Sequence, residues 1–474
     1  MNDHSGATGD SQLAKGSRLL LAAYLAHLAV PLFLVADITF AWHQGYVTYD
    51  AKKATGWVQG ISILWLVLGL GVFVLARYRP QLLERLKRPL LSLYAVYFAL
   101  VVAETVIRVL MPAPEGPALW QPGSKWVTKV DPAAYAGISG NKTFSVNDVG
   151  LRGPSFSRQD GVYKIVAVGG STTICDKLDD SEEWPHVLMQ TLNRRQGRTP
   201  AWVGNAGVSG HTTVHHLVLL KTLPIFQKID MIVLLIGVND LAATMAYDGS
   251  PTQPDLEADA TRFRQLILRG GRGLPLPLFR RLRVVKLARN LVVSVGLLLK
   301  PSHWQELQMD KFRKMRAAGP IVPLPDLQNG LTEYRSRIST LAWECRDLGV
   351  RCLFLTQPSL WRTDLSPGEQ QLIMGGPVGR WWKRRGYASI EDLTRAMAAY
   401  NRVLLEVCQE KQLECYDLAS VIPQNSSVFY DDVHYNENGA RVVASRLADY
   451  LLVREPFNQG GAKFEKGRST GGSD

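Results

Sequence analysis

The chain has no GxxxxGK[ST] run, no internal repeat and no cysteine pair at C-x₂₋₄-C spacing. The first absence leaves no loop to cradle a nucleotide phosphate. The second gives no sign of a repeat architecture. The third removes the usual zinc framework. Cysteine is scarce altogether, with five in 474 residues. Acidic residues are nearly missing from 261–320, where fourteen Lys and Arg (Arg262 through Arg316) face only Glu306 and Asp310. That local excess equals the +12 of the whole chain, so the remainder balances at forty against forty. Basicity confined to one segment argues against a general nucleic-acid binder, and no nucleic-acid partner is expected.

Charge is also missing from three runs near the N-terminus. Leu19 to Trp42 holds one carboxylate, Asp37, and Trp57 to Ala76 holds no charge in twenty residues. Pro89 to Ala103 is uncharged and continues to Met111 past Glu104 and Arg108. Each run is long enough to cross a hydrocarbon layer of about 30 Å. Buried core helices are the alternative, but a core rarely needs three such runs in succession. The first run is too long for a signal-peptide core and lacks a clear small-residue cleavage site. The loop between the second and third runs carries Arg77, Arg79, Arg85, Lys87 and Arg88; the loop between the first and second carries only Lys52 and Lys53. Positive loops stay in the cytoplasm, so everything after Met111 is expected outside the membrane. Glu104 and Arg108, four apart, read as an ion pair on one helix face, with Asp37 near enough to join. A transport role would want more charges along the helices.

The resulting organisation is a polar N-terminus read as disordered (1–16), a three-helix membrane unit (17–111), a linker and approach (112–160), a folded domain (161–455) and a disordered tail (456–474). In the folded domain, strands alternate with helices. Strands are expected at Tyr163 to Val168, Trp202 to Ala206, Met231 to Ile236, Cys352 to Thr356 and Cys415 to Leu418, with helices between and a last helix starting near Asn438. That alternation predicts an α/β fold with a parallel sheet covered on both faces. Ligands then bind beyond the carboxyl ends of the strands. An insertion at 245–330 interrupts the pattern and holds the basic segment. Within it Phe279 to Lys300 reads as a cap helix, a membrane-surface lid or part of a groove for an anionic polymer. Cys345 and Cys352, like Cys408 and Cys415, are seven apart, each pair running from a helix end to a strand start. Outside the cytoplasm local disulfides are expected, with buried thiols as the alternative, and Cys175 is left over.

Four short motifs sit at the predicted strand ends or near the C-terminus. They are Gly169-Gly170-Ser171-Thr172-Thr173, Gly207-Val208-Ser209-Gly210, Gly237-Val238-Asn239-Asp240 and Asp431-Asp432-Val433-His434. A Ser hydroxyl needs a base to become a nucleophile. His434 is the candidate base, and Asp431, three residues earlier, can orient its imidazole and stabilise the imidazolium. Acyl transfer also builds charge on a carbonyl oxygen. The N–H of Ser171, the N–H of Gly210 and the side-chain amide of Asn239 are the candidate oxyanion donors. Each motif alone is an ordinary turn or cap; their joint order and placement point to acyl chemistry. No cofactor or metal is needed. His211, His215 and His216 offer an i,i+4 pair but no third ligand spacing. Trp361, Trp381 and Trp382 flank Lys383-Arg384-Arg385 and suit either sugar stacking or burial.

With these residues the chain resembles the SGNH (GDSL-type) hydrolase family, from about Val146 to Leu452. The lead-in Asn147-Asp148-Val149-Gly150-Leu151-Arg152-Gly153 is similar to that of membrane-anchored bacterial members. The resemblance implies a flavodoxin-like three-layer α/β/α sandwich. It implies catalytic Ser171, Asp431 and His434, with Ser171, Gly210 and Asn239 forming the oxyanion hole. It also implies a bacterial inner-membrane location with a periplasmic or extracellular catalytic domain, and an acylated polysaccharide or other ester as substrate. The expected activity is a serine esterase acting on O-acyl groups of cell-surface carbohydrate. The alternatives are an O-acyltransferase on the same polymers, a lipid-head-group esterase, or a non-catalytic polysaccharide-binding or assembly subunit. Two departures stand out: Gly170 replaces the family's usual Asp, and the insertion is long. The sequence leaves the oligomeric state open.

Overall fold

The computed structural model describes residues 117–195, 199–247, 254–268, 304–379 and 385–458, with six isolated positions between 78 and 102. Residues 1–16, the first two apolar runs, most of the third, the stretch 279–300, Trp381, Trp382 and residues 459–474 of the tail lie outside the described residues; of the tail, 456–458 are described, and Phe457 is buried. Among the described residues no helix is long and apolar enough to cross a membrane. The chain divides into two compact units, Met1–Ala113 with Pro275–Leu299 and Pro114–Leu274 with Lys300–Asp474.

The second unit opens on an element that the sequence pattern does not announce. Residues 118–160, expected as an irregular approach, carry an antiparallel hairpin of β1 (Lys125–Val130) and β2 (Gly140–Ser145). After it come β3 (Tyr163–Gly169), the short helix α1 (Ser171–Ile174), α2 (Trp184–Arg195), β4 (Ala201–Asn205), α3 (Thr213–Thr222), β5 (Met231–Leu235) and α4 (Val238–Ala246). The insertion contributes α5 (Pro254–Leu268) and α6 (Trp304–Ala318). Next come α7 (Gln328–Asp347), β6 (Arg351–Leu355), a small ladder of β7 (Pro377–Val378) with β8 (Gly386–Tyr387), α8 (Ile390–Lys411), β9 (Glu414–Tyr416) and α9 (Glu437–Leu452).

The main sheet has strand order β4-β3-β5-β6-β9, and every pair in it is parallel. This is the 2-1-3-4-5 winding of flavodoxin-like folds. All five residues of β4 and of β5 are buried, as strands covered on both faces should be, whereas β6 and β9 open on the paired Arg351 and Glu414. Right-handed crossovers decide which helix covers which face. The step from β3 to β4 runs one way across the sheet and every later step the other way. So α2 lies on one face and packs against α9, while α7 packs between α3 and α8 on the opposite face. The reversal opens a crevice beyond the ends of β3 and β5, where such sheets bind ligands.

Two disulfides brace the outer half of the sheet. Cys345–Cys352 ties the end of α7 to β6, and Cys408–Cys415 ties the end of α8 to β9. Cys175 is free and buried, and burial pushes its thiol up to about 12, which leaves it unreactive.

The hairpin adds Val130 to the main core and builds a small apolar cluster of its own. Trp126 stacks on Phe144 at 4.2 Å, and Phe144 and Val146 pack on Ile174, the last residue of α1. The loop between β1 and β2 is held by the insertion: Gln305 accepts from the Asp131 N–H and donates to the Lys129 carbonyl. From the same loop Tyr135 meets Tyr430 edge to face at 5.3 Å, just ahead of the predicted Asp431 and His434 in the chain.

Candidate active site

Strand β3 delivers its last residue, Gly169, one residue before the helix that Ser171 opens. The turn between them works because residue 170 has no side chain. A Cβ there would stand 2.2 Å from Nδ2 of Asn239. A side chain at 170 would therefore need the Asn239 amide to move. Helix α1 lasts one turn and ends at Cys175 in the left-handed region (φ 50°).

The loop before α9 brings its side chains to this turn. His434 Nε2 lies 2.7 Å from Ser171 Oγ, although 263 residues separate them. On the far edge of the ring, Nδ1 lies 2.7 Å from Asp431 Oδ2 and 2.9 Å from Oδ1. Asp431 is almost fully buried, and its Oδ1 also accepts from the N–H groups of Val433 and His434 at 3.0 and 2.9 Å. An acceptor-only carboxylate at Nδ1 places the imidazole proton there and leaves Nε2 free to accept from the Ser171 hydroxyl. Burial disfavours the charged imidazolium, but the Asp431 carboxylate outweighs it and holds the His434 pKa above its ordinary value. The ring also stacks parallel to Tyr430 at 5.6 Å.

Asp432, which the sequence pattern does not single out, anchors the loop that carries this pair. Its Oδ1 accepts from the indole N–H of Trp361 and its Oδ2 from the N–H groups of Met374 and Gly375, all at 2.8 Å. Trp361 is therefore a buried strut, not a sugar platform. Stripping those donors of their acceptor would cost about 1–3 kcal/mol each. The only trace in the sequence is a second carboxylate beside the first, and a buried carboxylate looks the same there as a solvated one.

The third wall comes from the ends of β4 and β5. Asn239 Nδ2 donates to the His211 carbonyl at 2.9 Å, which spends one of its two N–H bonds and leaves the other unassigned. Gly210, just before His211, is exposed and sits at φ +79°, a conformation glycine adopts without strain. Asp240 holds the same loop from the other side: its Oδ1 accepts from Thr213 Oγ1 at 2.6 Å. Burial raises Asp240 to about 6 despite its hydrogen bonds from Thr213. So neighbouring residues of Gly237-Val238-Asn239-Asp240 clamp the Gly210 loop, and the structure brings Asn239 and that loop beside the backbone of Gly170 and Ser171. Replacing Asn239 with alanine is expected to lower kcat by about 10²–10³ at nearly constant KM, read from steady-state ester hydrolysis. An unchanged kcat would remove Asn239 from the oxyanion site.

The histidines do not assemble a metal centre. His215 and His216 are buried, His211 stacks on His215 at 4.5 Å, and Phe263 of α5 closes over His211 at 4.2 Å. Burial lowers His211 to about 2 and His216 to about 3, so both rings are neutral. Among the described residues no group of three metal-ligating side chains occurs.

A matching family supports what this geometry can do. Residues 165–442 match the GDSL-like Lipase/Acylhydrolase family. The chain belongs to that family. It is an ester-bond hydrolase. No curated protein matches the sequence significantly. Among solved structures this acylhydrolase is similar to an acetyl xylan esterase, AlAXEase (13% identity, TM-score 0.33, covering 61% of this chain and 99% of that one). It is also similar to Axe2, an acetylxylan esterase from Geobacillus stearothermophilus (14% identity, TM-score 0.32, covering 61% and 95%). A third is an α/β hydrolase from the metagenome of Lake Arreo, Spain (14% identity, TM-score 0.33, covering 61% and 96%).

Proposed function

We propose that this acylhydrolase is a membrane-anchored serine esterase that removes short O-acyl groups, O-acetyl above all, from cell-surface carbohydrate. The observation that carries the chemistry is the 2.7 Å contact between Ser171 Oγ and His434 Nε2, with Asp431 behind the ring. His434 takes the hydroxyl proton as Oγ attacks the ester carbonyl. The N–H groups of Ser171 and Gly210 and the amide of Asn239 receive the developing oxyanion. Collapse breaks the bond to the sugar oxygen, which leaves with the proton from His434. Water, deprotonated by the same imidazole, then releases acetate from acyl-Ser171.

A short acyl group suits the cleft beside Ser171. The recess there is tight, walled by Cys175, Leu178, Tyr430 and Tyr435, all buried. The membrane anchor and the carbohydrate target rest on the three long apolar runs and on the lead-in Asn147 to Gly153. In this reading the domain lies on the outer side of a bacterial inner membrane.

The test supplies an O-acetylated glycan carrying labelled acetate, with and without an unacetylated acceptor glycan. Free acetate formed at Ser171-dependent rates is the expected result. Label passing wholly to the acceptor would make the protein an O-acyltransferase instead, since both reactions share the acyl-serine half. A strong preference for long-chain esters would overturn the carbohydrate reading.

A further inference from the structure

Arg152 is fully buried and spends its guanidinium on the stretch of chain after Ser171. Its Nη1 donates to the carbonyl oxygens of Ile174 and, at 2.9 Å, of Cys175; its Nη2 donates to that of Leu178 at 2.7 Å. Its Nε donates to Asp180 at 3.0 Å, and the Phe144 ring lies 4.5 Å from the guanidinium carbon. Ile174 ends the one-turn helix that Ser171 begins, and Cys175 is its left-handed cap. The last carbonyls of a helix have no partner within it, and buried ones need a donor from elsewhere. Arg152 is that donor.

Its backbone makes a second connection. The N–H and the carbonyl of Arg152 pair with the carbonyl and the N–H of Asn205, both at 3.0 Å. Asn205 ends β4, and its side chain donates to the Thr173 carbonyl at 2.7 Å and accepts from the Gly207 N–H at 2.8 Å. One residue thus clasps the Ser171 turn from behind and ties it to the strand end that leads to Gly210. Arg152 does not line the cleft, so substrate contact does not explain it.

We propose that Arg152 is a positioning residue for the acylhydrolase reaction: it fixes the α1 turn so that Ser171 Oγ stays within reach of His434 Nε2 and the Ser171 N–H stays aimed at the oxyanion. The inference rests on Ser171 being the nucleophile. The planar fork of an arginine spans three carbonyls at once, which the compact ammonium of a lysine does not.

The experiment compares the full-length protein with Arg152→Lys and Arg351→Gln. Arg351 is a stabilising control: it pairs with Glu414 at the start of β6, the end of the sheet away from Ser171. Thermal midpoint, kcat, KM and the rate of fluorophosphonate attachment to Ser171 are measured for each. Arg152→Lys is expected to lower kcat and the labelling rate together by about 10- to 100-fold, since small misplacements of a reacting group cost that much. Its KM is expected to stay within about twofold. Arg351→Gln is expected to lower the midpoint while its labelling stays near the wild-type rate. A folded Arg152→Lys that labels at the wild-type rate would overturn the inference while leaving Ser171 as nucleophile. Loss of labelling in Arg351→Gln as large as in Arg152→Lys would overturn it too, by reducing the effect to stability. A wild-type protein that is not labelled at Ser171 would defeat the nucleophile assignment and this inference with it. Should Arg152→Lys fail to fold, Asp180→Asn neutralises the carboxylate at Nε, whose Oδ1 also accepts from the Ser145 N–H. It is expected to slow labelling by about threefold, and an unchanged rate would count against the clasp.

Discussion

Replacing His434 with alanine is expected to lower kcat by about 10⁴-fold or more, with little change in KM. His434 is the group within hydrogen-bond distance of the Ser171 hydroxyl that can take a proton near neutral pH. Without it the serine attacks as a neutral alcohol, and the leaving sugar oxygen departs without a proton. The remaining rate would come from the oxyanion donors and from substrate binding. The variant should fold, because the ring borders the surface (26% exposed) and the loop is anchored independently by Asp432. Steady-state hydrolysis of an acetyl ester, with circular dichroism as the folding check, reads the effect. Activity within tenfold of the wild type would mean that another base serves Ser171 (roughly 1.4 kcal/mol of the barrier).

Replacing Asp431 with asparagine is expected to cost roughly 10⁴ in kcat as well, for a different reason. An asparagine can present its N–H₂ to Nδ1. The imidazole proton then moves to Nε2, and the nitrogen facing Ser171 becomes a donor that cannot act as base. The two backbone N–H groups of Val433 and His434, which now point at Asp431 Oδ1, favour keeping the amide oxygen toward them and the amide nitrogen toward the ring. A second signature separates this from simple disorder. His434 works as a base only when neutral, so kcat/KM should fall as pH drops through its pKa. That pKa stands above the usual histidine value of about 6.5 because of Asp431, against the effect of burial. Removing the carboxylate takes away the largest influence opposing burial and leaves only Asp176 and Asp432, so the acid limb of the residual activity should move to lower pH. An acid limb that does not move would show that Asp431 does not set the protonation of His434.

The main sheet was readable because β3, β4, β5 and β6 are mostly apolar runs separated by helices of the right length, and burial on both faces imposes that pattern directly; β9 is short and only half-buried. The hairpin β1–β2 was not, because most of its first strand faces solvent and its partners are distant: Phe144 packs on Ile174, and the loop between the strands is held by Gln305. That a side chain at residue 170 would collide with the Asn239 amide is visible only in the structure. Arg152 and Asp432 stand inside the quoted motifs, but their roles were hidden for one reason. A charge that is buried and a charge that is solvated are the same letter.

The order of residues alone determined a parallel α/β unit, the acyl-transfer residue types at its strand ends and the family they resemble. These are properties of composition and period, which local chemistry dictates. Tertiary structure alone decided that Ser171 and His434 meet at 2.7 Å, that the nearby histidines are neutral packing and that a buried arginine clasps the nucleophile turn. Each depends on which distant surfaces are brought out of water together, and spacing along a chain carries no record of that.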